Sequence, residues 1–129
     1  MTHAKLRRIT RRWVPWWRDK LGLRDWHLDV EYFDPNEDSE KMGSCEPDYA
    51  HRTAKVRLLA ATTPMAQQAW DKHAPEEVIV HELLHIHFGT FGVGLNGHYS
   101  PGKLSKAVQA ESVINALATC LVARRRGKR

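Results

Sequence analysis

Apolar residues recur at helical spacing near the start of the chain and predict an amphipathic helix. They lie three or four residues apart at Leu6, Ile9, Trp13, Trp17 and Leu21. Gly22 follows the last of them and is the type of residue that ends helices. Because Pro15 lies inside the pattern, we expect either a kink or two short helices.

Two stretches in which apolar and polar residues alternate predict the strands of a small sheet. The first begins at Trp26 and its apolar positions continue through Tyr32, whereas the second has apolar residues at Ala54, Val56 and Leu58. Residues 41–50 are weakly patterned and contain a proline, so any strand there should lie near a sheet edge. We expect the sheet to be mostly antiparallel.

Three further helices are predicted in the second half of the chain, each opening on a proline at its first helical position. They cover about residues 64–70, 75–88 and 101–125. Gly89 is expected to end the second of them, and the four glycines between positions 89 and 97 predict a loop before the third. The 129 residues therefore suit one α+β domain with one core.

The last predicted helix carries two polar residues in an otherwise apolar face. This face, with alternating spacings of four and three, comprises Leu104, Val108, Glu111, Asn115, Ala118 and Val122. A carboxylate such as that of Glu111 is costly to bury without a partner. The pattern therefore predicts a cation close to Glu111.

A candidate for that cation site lies on the preceding helix, where residues 81–85 read HELLH. His81 and His85 share a helix face and can hold one Zn²⁺, while Glu82 is placed to take a proton from a zinc-bound water. A third protein ligand completes a catalytic zinc site. Glu111 fits that place, and His98 in the glycine loop is the alternative.

Two features that follow His85 limit the class of zinc site that the chain can form. The pattern HExxHxxGxxH requires Gly at position 88 and His at position 91, but the chain has Phe88 and Phe91. That class of metallopeptidase is therefore excluded. His87 lies about 200° around the helix from His85 and points away from the metal, so we interpret it as structural or exposed.

The two helical motifs together resemble the gluzincin pattern HExxH…ExxxN/D. The segment HELLHIHF followed by ESVINALA from Glu111 is most similar to small phage-type metallopeptidases and to the ImmA/IrrE-like family. This resemblance implies a zincin-like fold, in which the HExxH helix packs on a C-terminal helix that supplies the third ligand. It implies His81, His85 and Glu111 as ligands, Glu82 as base, and Asn115 as a residue that fixes a ligand imidazole.

Peptide hydrolysis also needs a donor for the developing oxyanion. His98 and Tyr99, in the loop after the HExxH helix, and Tyr49, before the second patterned strand, are candidates, and each has a structural interpretation as well. The strand from Thr53 to Leu58 is either an interior strand or an edge that pairs with an extended substrate.

Charge is distributed unevenly along the chain, whose net charge is +5. Residues 1–24 contain eight Lys/Arg and one acid, and residues 124–129 contain five Lys/Arg, whereas the middle holds 7 basic and 14 acidic residues. The Trp/Arg-rich helical region 1–20 and the tail 124–129 are therefore possible nucleic-acid contacts. The alternative is that tryptophans cover the core while arginines extend into solvent.

The two cysteines, Cys45 and Cys120, are too few for a disulfide framework. The N-terminus lacks the apolar segment of a secretory signal, and no apolar run is long enough to span a membrane. We therefore expect an intracellular, cytoplasmic protein, which the resemblance extends to a phage protein acting in its host cell. No pattern predicts the oligomeric state.

The sequence thus predicts a zinc-dependent metallopeptidase that acts on a polypeptide lying between a sheet edge and the HExxH helix. Imidazole ligands favour Zn²⁺, although Co²⁺ or Mn²⁺ suit the same atoms. The alternative function is a basic nucleic-acid-binding protein with a structural or vestigial zinc site, or a protease associated with DNA.

Overall fold

In the part of the chain that the structure describes, four helices and a three-stranded sheet form the fold, which confirms the α+β class. The structure, a computed structural model, describes residues 1–36, 41–89 and 101–127, and for residues 101–110 it describes only the helical backbone. The elements in chain order are α1 (His3–Lys20), β1 (His27–Phe33), β2 (Gly43–Asp48), β3 (Thr53–Leu59), α2 (Pro64–Lys72), α3 (Pro75–Phe88) and α4 (Pro101–Arg125). Among the described residues, no helix has the length and apolarity needed to cross a membrane.

The N-terminal region is one helix, so the alternative of two short helices is wrong. Pro15 lies inside α1, and the buried residues Leu6, Val14 and Trp17 on either side of it share one face. Burial of that continuous apolar face is favourable enough to offset the loss of the one backbone hydrogen bond that proline cannot make, so the helix continues through Pro15. Gly22, with φ +74°, follows the helix and confirms the predicted end.

The sheet is mixed, with strand order β1-β3-β2, so the expectation of a mostly antiparallel sheet is wrong. Strand β2 pairs antiparallel with β3 across the turn at residues 49–52, whereas β1 pairs parallel with β3 on its other side. The physical reason is burial, because β3 contributes the nearly inaccessible residues Ala54, Val56 and Leu58 and therefore takes the centre.

The central place of β3 decides two questions about edges. Because β3 has a neighbour on each side, it is not the edge that the substrate-pairing interpretation required. The weakly patterned segment forms β2 at one edge, with Pro47 inside it, as predicted.

Helix α3 is the central helix and packs against α1, α4 and the sheet. It begins at Pro75 and ends at Gly89, whose φ of +63° suits glycine, so both predicted bounds are confirmed. Its residues Ile79, Val80 and Leu83 are fully buried. The helix that carries HExxH is therefore fixed along most of its length.

Helices α3 and α4 run antiparallel, since Arg125 at the end of α4 meets the first turn of α3 while Glu111 meets its middle. The buried face of α4 contains Ile114, Ala118 and Val122. The placement of Glu111 and Asn115 in that buried face is wrong, because both are exposed. Ile114 occupies the buried position between them, and the carboxylate of Glu111 lies at the margin of the helix–helix contact.

A buried carboxylate connects three helices at the other end of α3. Glu76, 3% exposed, accepts hydrogen bonds from Trp17 Nε1 (2.9 Å) and Arg125 Nε (2.7 Å). A second guanidinium nitrogen of Arg125 also pairs with it, and this guanidinium lies 4.0 Å from the ring centroid of Trp13. We call Glu76, Trp17 and Arg125 the buried clamp. One arginine of the basic tail is thus occupied inside the fold.

Candidate metal centre

The backbone of α3 brings His81 and His85 to one face of the helix, one turn apart. Their rings meet at an interplanar angle of 68° with centroids 5.0 Å apart. The two Nε2 atoms lie 3.2 Å from each other. Both nitrogens therefore point to the same small volume of space, as the i, i+4 spacing predicts.

Glu111 of α4 approaches the two imidazoles from the neighbouring helix. One of its carboxylate oxygens lies 2.8 Å from His85 Nε2, and the other lies 3.1 Å from His81 Nε2. Ligand atoms from these three residues all lie within 4.8 Å of one another. The structure therefore brings together the three residues that the sequence predicted as metal ligands.

This arrangement has dimensions that suit a small tetrahedral cation. Ligand atoms about 2.0–2.2 Å from such an ion lie about 3.3–3.6 Å from each other. The observed separations of 2.8, 3.1 and 3.2 Å differ from that range by a few tenths of an ångström. Two imidazoles and one carboxylate are also a ligand set of catalytic zinc sites, which leave one coordination position open.

Glu82 lies beside this cluster and is almost completely buried, with 4% of its surface exposed. Its Oε1 is 3.7 Å from His81 Nε2, and its Oε2 has no hydrogen-bond partner among the described residues. Burial, with a further contribution from the charge of Glu111, raises the pKa of Glu82 to about 8. A buried acid without a partner is unfavourable for folding alone.

The edge strand β2 approaches this carboxylate closely at Gly43. A Cβ added there would lie 3.2 Å from Glu82 Cγ and 3.1 Å from the main-chain oxygen of Arg57. The absence of a side chain at position 43 therefore allows the sheet edge to lie directly against the Glu82 side chain.

The two imidazoles differ from ordinary surface histidines in their surroundings. The side chains of His81 and His85 are 18% and 25% exposed, whereas that of Glu111 is 50% exposed. Burial lowers the pKa of His85, although the adjacent Glu111 carboxylate partly opposes this effect. His85 is consequently favoured in its neutral form, which is the form that coordinates metal ions.

A cleft of about 380 Å³ opens beside the cluster, between the start of β2, helix α3 and helix α4. His81 and Glu82 line it, together with Asn115 and residues from the turn before α3. Asn115 makes no hydrogen bond to His81 or His85 within the described part of the chain. Its role in fixing an imidazole stays a prediction.

The other candidates separate into structural residues and residues that the structure does not describe. Tyr49 donates a hydrogen bond to the main-chain oxygen of Ile86 (2.8 Å), which anchors the end of α3 and supports its structural interpretation. His87 is exposed and contacts the main-chain oxygen of Leu21, away from the cluster. His98 and Tyr99 lie outside the described residues.

Two residues that shape the site were missed by reasoning from the sequence. Gly43 lies in a segment without clear periodicity, so no signal indicated its proximity to Glu82. Glu76 carried a signal, because it is three residues before Ile79 and seven before Leu83 and therefore lies on the buried face of α3. An acid at that position indicates a buried partner, here Arg125.

Comparison with known proteins yields no matching family model, no similar curated protein and no similar solved structure. The residues and geometry of the candidate centre are therefore the evidence on function.

Proposed function

We propose that the protein is a zinc-dependent metallopeptidase of the gluzincin type, with a zincin-like arrangement of α3 and α4. The observation that carries the proposal is the convergence of His81, His85 and Glu111 beside Glu82, whose buried Oε2 has no hydrogen-bond partner in the part of the chain that the structure describes. The cluster accounts for metal binding, and Glu82 accounts for catalysis. A structural site would have no need of the second feature.

His81, His85 and Glu111 would hold the ion, two from one helix and one from its antiparallel neighbour. When bound, Zn²⁺ supplies a Lewis acid that lowers the pKa of water and polarises a carbonyl group. Glu82 does not need to coordinate, since it is offset from the shared face of the two histidines. Its carboxylate accepts the proton of the attacking water and delivers it to the leaving amine.

The cleft gives the proposed substrate a place beside the metal ligands. It is bounded by Met42 and Gly43 at the sheet edge and by α3 and α4. The edge in question is β2 and not β3, which corrects the position of the substrate strand expected from the sequence. An extended polypeptide in this cleft would pass within reach of Glu82.

Metal analysis of the purified protein is the first test. We expect one zinc per chain, with loss of zinc in His81→Ala and in His85→Ala, because each variant removes one of three ligands. His87→Ala is the matched control, since it removes an exposed imidazole from the same helix and should retain zinc. Full retention of zinc in both ligand variants would refute the site.

The second test separates catalysis from metal binding. Glu82→Gln should keep its zinc while cleavage of a mixed peptide library, followed by mass spectrometry, falls by about 10²–10⁴-fold, the loss typical of a missing general base. Loss of zinc from this variant would show that Glu82 is a ligand. Unchanged cleavage would show that it has no part in the reaction.

The third ligand is tested by comparing Glu111→Ala with His98→Ala. The first should weaken zinc binding strongly, because a ligand contributes to binding in the resting state. The second should keep the metal and at most slow turnover, because an oxyanion donor acts mainly in the transition state. If His98→Ala loses zinc and Glu111→Ala keeps it, the gluzincin assignment is wrong.

The alternative function, nucleic-acid binding with a structural zinc site, has less support. Arg125 is occupied by Glu76, and Arg126 lies 3.8 Å from the same carboxylate, so these two arginines of the basic tail have an acidic partner inside the fold. Titration of a DNA duplex at several salt concentrations tests the alternative. Tight binding with a steep salt dependence, together with no cleavage by the zinc-loaded protein, would favour it.

A further inference from the structure

A second groove lies at the opposite edge of the sheet from the candidate metal centre, between α1 and β1. Its volume is about 380 Å³. The strand side of the groove is apolar and half-buried, formed by Leu28, Val30 and Tyr32. The helix side carries the arginines Arg7 and Arg11, joined by Arg18 further along the same face. We call this region the α1–β1 groove.

The main chain of β1 leaves one of its edges free along this groove. His27 donates its N–H to the main-chain oxygen of Arg52 (2.9 Å), in the turn before β3. At the other end of the strand, the carbonyl of Phe33 accepts a hydrogen bond from the N–H of Ala60 (3.0 Å), just after β3. Alternate residues of a strand direct their N–H and C=O groups to opposite sides. Leu28, Val30 and Tyr32 therefore direct theirs away from β3, and within the described ranges no fourth strand pairs with them.

The α1–β1 groove carries positive charge at Arg7 and Arg11, whereas Arg18 is paired with Asp19 at 3.3 Å. Arg7 and Arg11 are exposed, and their side chains make no hydrogen bond or ion pair with any residue in the described part of the chain. The acids of β1 do not offset them, because alternation places Asp29 and Glu31 on the other face of the sheet. There Glu31 lies 3.8 Å from the ammonium nitrogen of Lys55.

We infer that the α1–β1 groove binds an extended, acidic polypeptide segment of another protein, which adds as a strand to β1. The free N–H and C=O groups of three β1 residues supply the main-chain hydrogen bonds of such an addition. The apolar side of the groove accommodates alternate side chains, and the arginines select for acids. The inference is independent of the proposed peptidase activity, since it uses none of the same residues.

A single-stranded nucleic acid matches these features less well. It would satisfy the arginines but leave the strand edge unpaired, and it binds proteins through stacking on open aromatic rings. The aromatic ring on the strand side belongs to Tyr32, which is half-buried and packs edge-on against His3 at 4.8 Å. The strand edge therefore favours a polypeptide.

The test measures binding of a fluorescein-labelled nine-residue peptide with alternating Glu and Val or Thr, by anisotropy. A matched peptide with Gln at every Glu position should bind more weakly. Arg7→Gln/Arg11→Gln should weaken binding by about three- to tenfold, the effect of two exposed ion pairs. Arg8→Gln/Arg124→Gln is the control, because it removes the same charge at exposed positions outside the groove and should leave binding unchanged.

Two further measurements test pairing with the strand edge. Amide hydrogen exchange at Leu28, Val30 and Tyr32 should slow when the peptide binds. Val30→Pro should abolish binding while the protein stays folded, because that N–H faces away from β3 and proline is tolerated at such positions.

Three results would overturn the inference. The first is equal binding of the Glu and Gln peptides, or no binding of either. The second is binding without slower exchange at the three β1 amides. The third is binding of a ten-nucleotide oligothymidylate that depends on Arg7 and Arg11 and exceeds that of the peptide, which would identify the groove as a nucleic-acid site.

Discussion

Replacement of Arg125 by methionine tests how the two helices of the candidate centre are held together. The change removes the guanidinium of the buried clamp but keeps an apolar stem of similar length. Glu76, at 3% exposure, would then retain the hydrogen bond from Trp17 and the more distant Arg126, whose Nε is 3.8 Å away. A buried carboxylate would be left without its closest cation.

The expected magnitude follows from the contacts that are lost. Hydrogen bonds to a charged group are worth about 1.5–3 kcal/mol, and the cation–π contact with Trp13 adds about 0.5–1 kcal/mol. Arg126 and the partial exposure of Arg125, whose side chain is 23% accessible, offset part of this. We expect the free energy of unfolding to fall by about 2–3 kcal/mol. For 129 residues, an unfolding entropy of about 0.27 kcal/mol/K converts this to a fall in Tm of about 7–11 °C.

Urea unfolding followed by tryptophan fluorescence, with a thermal scan, measures both quantities. Arg124→Met is the matched control, since Arg124 is exposed and has no side-chain partner among the described residues. In Glu76→Gln/Arg125→Met, the loss should be smaller than the sum of the two single losses, because neither charge remains unpaired. A loss below about 0.5 kcal/mol in Arg125→Met, or one equal to that of the control, would show that the buried clamp does not stabilise the contact between α3 and α4.

Three shorter predictions concern the surroundings of the centre. Burial raises the pKa of Cys45 to about 12, so at pH 8 a thiol reagent should label Cys120 rapidly and Cys45 only after denaturation; equal rates would contradict this. Gly43→Ala should lower the free energy of unfolding by about 1 kcal/mol and displace the Glu82 side chain, since the new Cβ would lie 3.2 Å from Glu82 Cγ. An unchanged Tm would show that β2 moves to accommodate the new methyl group without loss of stability. Glu82→Gln should keep or raise the Tm of the metal-free protein in EDTA, and a lower Tm would show that the carboxyl stabilises the fold.

Local sequence signals predicted the elements well where chemistry and burial acted in the same direction. Pro75 and Gly89 bound α3 because a proline without an N–H and a glycine at positive φ suit the two ends of a helix. Alternation predicted β1 and β3. The direction of β1 relative to β3 was not predictable from alternation. It depends on which strands lie next to each other, and this is decided by how the buried residues of β3 pack.

The candidate site was predictable along one helix and only partly predictable between helices. The spacing of His81 and His85 alone places their Nε2 atoms together, as the distance of 3.2 Å shows. The position of Glu111 depends on the rotation of α4 about its own axis. The apolar face predicted for this helix differs from the observed buried face by about one residue. Ile114 sets that rotation, and its burial brings the carboxylate to the margin of the contact, where it meets the imidazoles.

Two buried glutamates on α3 differ in how their burial is compensated. Glu76 has a guanidinium and an indole N–H as partners, so its burial is compensated and it joins three helices. Glu82, six residues later, is equally inaccessible, yet its Oε2 accepts no hydrogen bond from any of the described residues. A helix that satisfies one acid so fully has no stability reason to bury the second. Because natural folds break their own packing rules mainly where chemistry requires it, a buried Glu82 oxygen without a hydrogen-bond partner among the described residues, close to His81, supports the proposal that this part of α3 is a catalytic centre.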